Sequence, residues 1–170
     1  RLTNHPANDR SPAWSKDGTQ IAFDSDREDG KGRIYKMDVD GSNVVRLTDG
    51  ARPTWSPDGT QIAYQFSRPG GLHSHIYVMN SDGSNAYAIT SGSSFRGGPA
   101  WSPVGSLIAY YAPAVGSNFD NDIWIMNTDG TRPRKLTNTR DDYEFSPSWS
   151  SDGNRLVFIS GSASGGGAGS

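Results

Sequence analysis

The sequence has no cysteine among its 170 residues. Disulfides, thiolate nucleophiles and cysteine-ligated zinc are therefore excluded. The absence is compatible with an oxidising compartment but does not demonstrate one. Long apolar runs are missing as well. No stretch approaches the roughly 18 residues of a membrane helix, so membrane insertion is not expected. The first residues carry no basic segment followed by an apolar one, and a mature exported protein or an excised domain would look the same. Charge is sparse and nearly balanced, with 16 Lys and Arg against 18 Asp and Glu. No basic track is present, which argues against nucleic acid as a partner. No segment keeps a helical period over about ten residues.

What is present is glycine (21), proline (10) and 11% aromatic residues. Such a composition suits many short strands joined by tight turns. The chain also repeats itself. PAWSKDGTQIAF begins at Pro12, PTWSPDGTQIAY at Pro53, PAWSPVGSLIAY at Pro99 and PSWSSDGNRLVF at Pro147. Trp14, Trp55, Trp101 and Trp149 occupy one position of this phrase. Each copy carries an apolar triplet starting seven residues after the Trp: Ile21–Phe23, Ile62–Tyr64, Ile108–Tyr110 and Leu156–Phe158. Three copies continue with Ile-aromatic-x-Met and an Asp-Gly pair, at Ile34 and Asp40, Ile76 and Asp82, Ile123 and Asp129. An apolar-Thr pair recurs at Leu2, Leu47, Ile89 and Leu136.

These landmarks read as strands A, B, C and D of a four-stranded antiparallel sheet. Ser-Pro-Asp-Gly suits the A–B turn and Asp-Gly the C–D turn. One such sheet cannot bury both faces, whereas radial stacking of sheets can. The fold class is therefore all-β, a β-propeller of four-stranded blades with each Trp wedged between blades.

The motif set PxWSPDGxxIAF, IYxM, DGSN and LT resembles the TolB-like propeller repeat over residues 1 to about 160. Lys16 and Ser151 replace the turn Pro, and Val104 replaces the turn Asp. The resemblance implies a non-catalytic binding or scaffold module with a protein or peptide partner, in the periplasm or secreted. Family members also include the propellers that precede the catalytic domain of some serine peptidases, so an accessory propeller is an alternative. A third reading is an engineered or evolved fragment that only self-assembles.

Residues 1–160 form the propeller segment of four repeats, the last incomplete because it lacks strand C. Residues 161–170, all Gly, Ser or Ala, read as a flexible linker or cloning scar. Four blades leave open edges. A homodimer is one way to close the ring, each chain lending Arg1-Leu2-Thr3 to its partner's last blade. A longer parent chain is the other.

Spacings within A–B and C–D are constant, while the B–C and D–A intervals vary. In such blades those two connections share one face of the disc, as a binding surface would have it. Drift in unconstrained loops is the plain alternative. The candidate binding residues on the D–A side are Asp9, Arg10, Arg52, Phe95, Arg96, Tyr143 and Glu144. Arg10, Arg52 and Arg96 suit a carboxylate or a peptide C-terminus, with pairing to neighbouring Asp as the plain alternative. The B–C loops add Asp26–Asp29, Arg68, His73, His75, Phe119 and Asp120. No catalytic residue is expected, since no Gly-x-Ser-x-Gly elbow is present outside the Gly/Ser end. No metal site and no cofactor are expected either. His73 and His75 lack a third ligand, His5 suits a hydrogen bond between strands, and a weak cation site at Asp26–Asp29 stays open.

Overall fold

The computed structural model describes residues 2–71, 73–113, 120–139 and 142–162. Blade 1 comprises β1 (Asp9–Trp14), β2 (Gln20–Ser25), β3 (Arg33–Asp38) and β4 (Val45–Asp49). Blade 2 comprises β5 (Ala51–Trp55), β6 (Gln61–Ser67), β7 (Ser74–Asn80) and β8 (Tyr87–Ala88). Blade 3 comprises β9 (Gly97–Trp101), β10 (Leu107–Pro113), β11 (Asn121–Asn127) and β12 (Arg134–Lys135). Blade 4 has β13 (Asp142–Trp149) and β14 (Leu156–Ser162). Each sheet is antiparallel with its strands in sequence order. β14 runs two residues past the boundary placed at 160. Arg1, Phe119 and residues 163–170 lie outside the described residues.

The repeated phrase builds the A–B turn through its serine. In PTWSPDGTQIAY the Ser56 hydroxyl donates to Asp58 Oδ1 (2.6 Å) and accepts from the Gln61 amide (2.9 Å). Asp58 in turn accepts from the Thr60 amide at 3.0 Å. Ser15 with Asp17, and Ser150 with Asp152, repeat the arrangement. The Asp-Gly turns between strands C and D use Asp40, Asp82 and Asp129, which accept from Ser42, Ser84 and Thr131. The two turns are tied on one face of the disc. Val39 donates to the Thr19 carbonyl, Ser81 to Thr60 and Thr128 to Ser106. B–C and D–A connections meet on the other face, where Arg96 donates to Ser74 and Gly50 to Gly32.

Strand D is short, and its apolar-Thr pair has a defined job. In blades 2 and 3 the amides of Ile89 and Leu136 donate to the carbonyls of Ile76 and Ile123. The hydroxyls of Thr90 and Thr137 then accept from the amides of those same strand C residues, both at 2.9 Å. A side chain thus completes a ladder that the two-residue strand cannot.

The core lies between blades. Ala22, Ile34, Trp55, Ile62, Tyr64 and Met79 fill the seam of blades 1 and 2. Ala63, Ile76, Trp101, Ile108, Tyr110 and Met126 fill that of blades 2 and 3. The Trp55 indole donates to the Ala13 carbonyl (3.1 Å) and the Trp149 indole to the Ala100 carbonyl (3.0 Å), each one blade back. Trp14 has no blade behind it among the described residues and is 56% exposed. The turn glycines seal the seams near the rim. A Cβ on Gly83 would sit 3.2 Å from the Leu47 carbonyl oxygen, and one on Gly130 only 2.0 Å from that of Ile89. A Cβ on Gly41 would meet the Leu2 carbonyl oxygen at 2.6 Å. Leu2 therefore stands against blade 1 as Leu47 stands against blade 2, the place of a preceding strand D.

Two outcomes are expected. Trp55→Ala or Trp101→Ala costs about 3–5 kcal/mol in urea unfolding, whereas Trp14→Ala stays within about 0.5 kcal/mol; equal losses would show that Trp14 is buried in solution. Hydrogen bonds from Ser15, Ser56 and Ser150, and from Ser42, Ser84 and Thr131, hold the turn aspartates below the usual carboxylate range. The unfolded chain then binds more protons in acid. The melting temperature should hold above about pH 5 and fall as the pH drops from about 4 through the depressed folded values. A flat profile down to pH 2 would refute the role of these turns.

Candidate functional site

The four strands A pack side by side, β1 on β5, β5 on β9 and β9 on β13. Each carries a bulge three residues before its Trp. The bulged residues Ser11, Arg52, Gly98 and Ser146 all have positive φ, between 50° and 56°. A proline follows each, and its missing N–H suits an interrupted ladder. These four residues and the four prolines line a hollow of about 320 Å³ where the strands converge. The bulge aims the chain into the channel mouth, which is a common use of the device.

Polar groups hold the bulges from one blade back. Buried Asp24 on β2 accepts from the Arg52 amide at 2.9 Å. Gln65 on β6 accepts from the Gly98 amide at 3.1 Å. Tyr111 occupies the corresponding place on β10 and reaches back to the Arg52 guanidinium, which hydrogen-bonds its hydroxyl. The Arg52 guanidinium carbon lies 5.5 Å from the Tyr111 ring centroid, and Phe95 stacks on the same ring at 5.6 Å. The Gly97–Gly98 pair makes room: a Cβ on Gly98 would lie 2.5 Å from Tyr111 Cε1, and one on Gly97 2.8 Å from Phe95 Cε1. Arg52, Tyr111 and Phe95 thus form one cation–ring–ring ladder.

The other expected residues are distributed elsewhere. Asp9 and Arg10 lie on β1 itself. Arg27 bonds Asp9 at 2.8 Å and lays its guanidinium over Phe23 and Tyr35, 5.1 and 4.6 Å from their centroids. Burial pushes the Asp9 carboxyl up, but hydrogen bonds from Ser25, Thr3 and Arg27 together hold it below the ordinary value. Arg10 is largely exposed and 3.6 Å from Asp26. Arg96 donates to the Ser94 carbonyl and bonds Tyr110. The three arginines therefore do not converge on one point. Tyr143 packs beside Gly161 on β13. Glu144 is also on β13 and only 1% exposed. It accepts from the Thr137 hydroxyl, the Thr139 hydroxyl (3.0 Å) and the Ile123 amide (3.3 Å), clamping blade 4 to blade 3.

Of the acidic loop, Glu28 and Asp29 face Arg33, with Asp49 on its other side. His5 accepts from the nearby Ala7 amide through Nδ1. Burial and the neighbouring Arg96, His73 and Arg68 charges push the His75 imidazole below its ordinary value. Among the described residues no three His, Cys, Asp or Glu side chains come together as a metal site. Sequence reasoning missed Tyr111, Gln65 and the role of Asp24 as a support. Their signal was a shared repeat position, two residues after the central Ala of strand B.

Radial four-stranded sheets, first strands lining an axis and Trp seams between them define a β-propeller segment. The chain belongs to the TolB family of such propellers: the TolB beta propeller domain matches residues 49–167. It is 33% identical over 123 residues to an uncharacterized protein of Agrobacterium fabrum, covering 65% of this chain and 42% of that protein. It is 32% identical over 157 residues to the protein TolB homolog of Chlorobium luteolum, covering 84% of this chain and 32% of that one. The crystal structure of TolB from Acinetobacter baumannii superposes with a TM-score of 0.70 at 25% identity, over 91% of this chain and 41% of that chain. The chain thus spans less than half the length of these relatives.

Glu144→Ala should cost about 2–3 kcal/mol, because the Thr137 and Thr139 hydroxyls lose their acceptor and the Ile123 amide keeps only the Thr137 oxygen. Tyr111→Phe should cost about 1 kcal/mol for one lost hydrogen bond. Urea unfolding monitored by tryptophan fluorescence reads both, and an unchanged midpoint for Glu144→Ala would refute the clamp.

Proposed function

We propose that this propeller segment is a non-catalytic module that binds a protein or peptide partner at the channel mouth. The observation that carries the reading is the Arg52–Tyr111–Phe95 ladder beside the hollow ringed by four bulges. It offers the half-buried Phe95 ring in the connection before β9, backed by the buried Tyr111, together with a fixed cation and left-handed backbone on β5. Extended peptides suit such a surface: the Phe95 ring takes an apolar side chain and the guanidinium takes a carboxylate or a carbonyl. Asp9, Arg10, Arg96, Tyr143 and Glu144 belong to the frame around this centre, with Arg10 as an exposed cation at its border. A periplasmic or secreted setting follows from the family resemblance and fits a chain without cysteine.

The test uses chemical shift mapping of the chain with an extract of envelope proteins fractionated to single components. Shifts confined to residues around Arg52, Phe95 and Tyr111, and abolished by Arg52→Ala with the fold intact, are the expected result. A partner bound equally well by Arg52→Ala would overturn the reading.

A second reading, self-association, is favoured by the exposed Trp14 at one end and by exposed Val157 and Ile159 at the other. Among the described residues, an indole that meets no carbonyl and a blade face that meets no neighbour are two halves that one inter-blade seam would join. Light scattering over a tenfold concentration range should then give twice 18.3 kDa. A concentration-independent mass of 18.3 kDa would sink it.

A further inference from the structure

The connection from β4 to β5 is shorter than those from β8 to β9 and from β12 to β13. Leu47 and Trp55 stand eight positions apart, Ile89 and Trp101 twelve, and Leu136 and Trp149 thirteen. The shortening changes the seam that the connection crosses. Between blades 2 and 3 the Arg96 amide closes onto the Ser74 carbonyl, and its side chain bonds Tyr110. Between blades 1 and 2 the same closure is made by Gly50, whose amide donates to the Gly32 carbonyl at 3.0 Å. Neither glycine sends a side chain into the seam. Gly50 has no room for one: its φ is 148°, and a Cβ there would lie 2.7 Å from Tyr64 Cδ2.

Blade 2 sets an aromatic ring beside this gap. Phe66 pairs with His75 as Ser25 pairs with Arg33 and Ala112 with Asp122. One position that is small in blades 1 and 3 is thus a half-buried phenylalanine in blade 2, propped edge-on against Tyr77 at 5.4 Å. The ring does not fill the space. A hollow of about 410 Å³ remains, with Gly32, Gly50 and Ala51 on one side and Phe66, Ser67 and Pro69 on the other.

The charged residues that also line it, Lys31, Arg33 and Asp49, are already paired. Lys31 lies 3.5 Å from Asp29, Arg33 lies 3.3 Å from Glu28 and 3.2 Å from Asp49, and Asp49 lies 2.7 Å from Arg46. Gln65, also in the wall, gives its side-chain oxygen to the Gly98 amide. The wall therefore offers an incoming molecule no unpaired charge, and a charged one would lose its water without a partner. A ring facing flat glycine backbone suits a flat apolar group. A cavity of about 150 Å³ holds one benzene, so this one has room for about two rings.

We infer that the hollow between blades 1 and 2 binds a small neutral aromatic compound, laid between Phe66 and the Gly32 and Gly50 backbone. Lys31 and Pro69 belong to the loops joining strands B and C of the two blades, and these loops flank the entrance. They favour a molecule that enters whole over a side chain whose main chain must cross them. The hollow lies in a seam, apart from the channel mouth, and its occupancy does not depend on a partner there.

Indole is the probe. Calorimetric titration should give a Kd below ~1 mM. Amide NMR spectra should shift at Gly32, Gly50, Ala51 and Phe66 and stay unmoved at Ser11 and Ser146. Phe66→Ala should weaken binding at least tenfold. Ala51→Leu fills the hollow with Phe66 left in place and should abolish binding. Near-UV circular dichroism verifies that both variants keep their fold, and Ala51→Leu decides alone if Phe66→Ala does not. No binding up to about 10 mM indole, unchanged affinity in a folded variant, or shifts centred on the channel mouth would overturn the proposal. Binding of N-acetyltryptophanamide without binding of indole would overturn it in favour of an aromatic side chain carried by a polypeptide.

Discussion

The structure depends on one contact between neighbouring blades, the indole of a strand A tryptophan bonding to a carbonyl one blade back, as Trp55 and Trp149 do. The ring fills the seam beside the small central residue of the neighbouring strand B, an alanine in blades 1 to 3. Ala22 and Ala63 are fully buried for this reason. A propeller blade has almost no interior of its own, so its stability is a property of pairs of blades rather than of single ones. The indole N–H adds direction to a contact that apolar burial alone would leave free to slide.

From that contact the division of labour along each strand follows. Strand A supplies the wedge and, three residues earlier, the bulge that faces the axis. Strand B supplies the small residue under the wedge and, two residues on, the polar group that holds the next bulge. Strands C and D close the seam toward the rim. The surface proposed for binding at the channel mouth is thus built from residues whose backbone is fixed by the same seams that hold the fold. Two of the left-handed residues there, Arg52 and Gly98, donate their amides to acceptors on the preceding blade, Asp24 and Gln65.

Much of this was legible in the sequence. Four copies of one phrase gave the strands, the turns and the radial arrangement, because periodicity reports packing that every blade shares. The site was legible only in part. Asp9, Arg10, Arg52 and Glu144 were expected in connections but lie within strands, since the bulge lets strand A start earlier than its apolar pattern suggests. Glu144 read as a surface acid because sequence cannot show that Thr137, Thr139 and the Ile123 amide converge on it from the neighbouring blade. Tyr111 was hidden inside an apolar run, IAYYAP, where only its repeat position, shared with Asp24 and Gln65, sets it apart from the tyrosine before it. Contacts across seams depend on residues tens of positions apart, 59 for Arg52 and Tyr111, and no local pattern records them.

The shortness of the outer strands has a consequence for how the molecule moves. With two residues in β8 and β12, much of the outer hydrogen bonding rests on threonine hydroxyls and on one or two amides. Such a rim opens at low free-energy cost while the axial strands β5 and β9, packed between neighbouring blades, stay closed. Amide exchange should therefore be graded by radius rather than by position along the chain. Each blade would breathe from its periphery, and the surface around the axis would keep its shape while the circumference of the disc fluctuates.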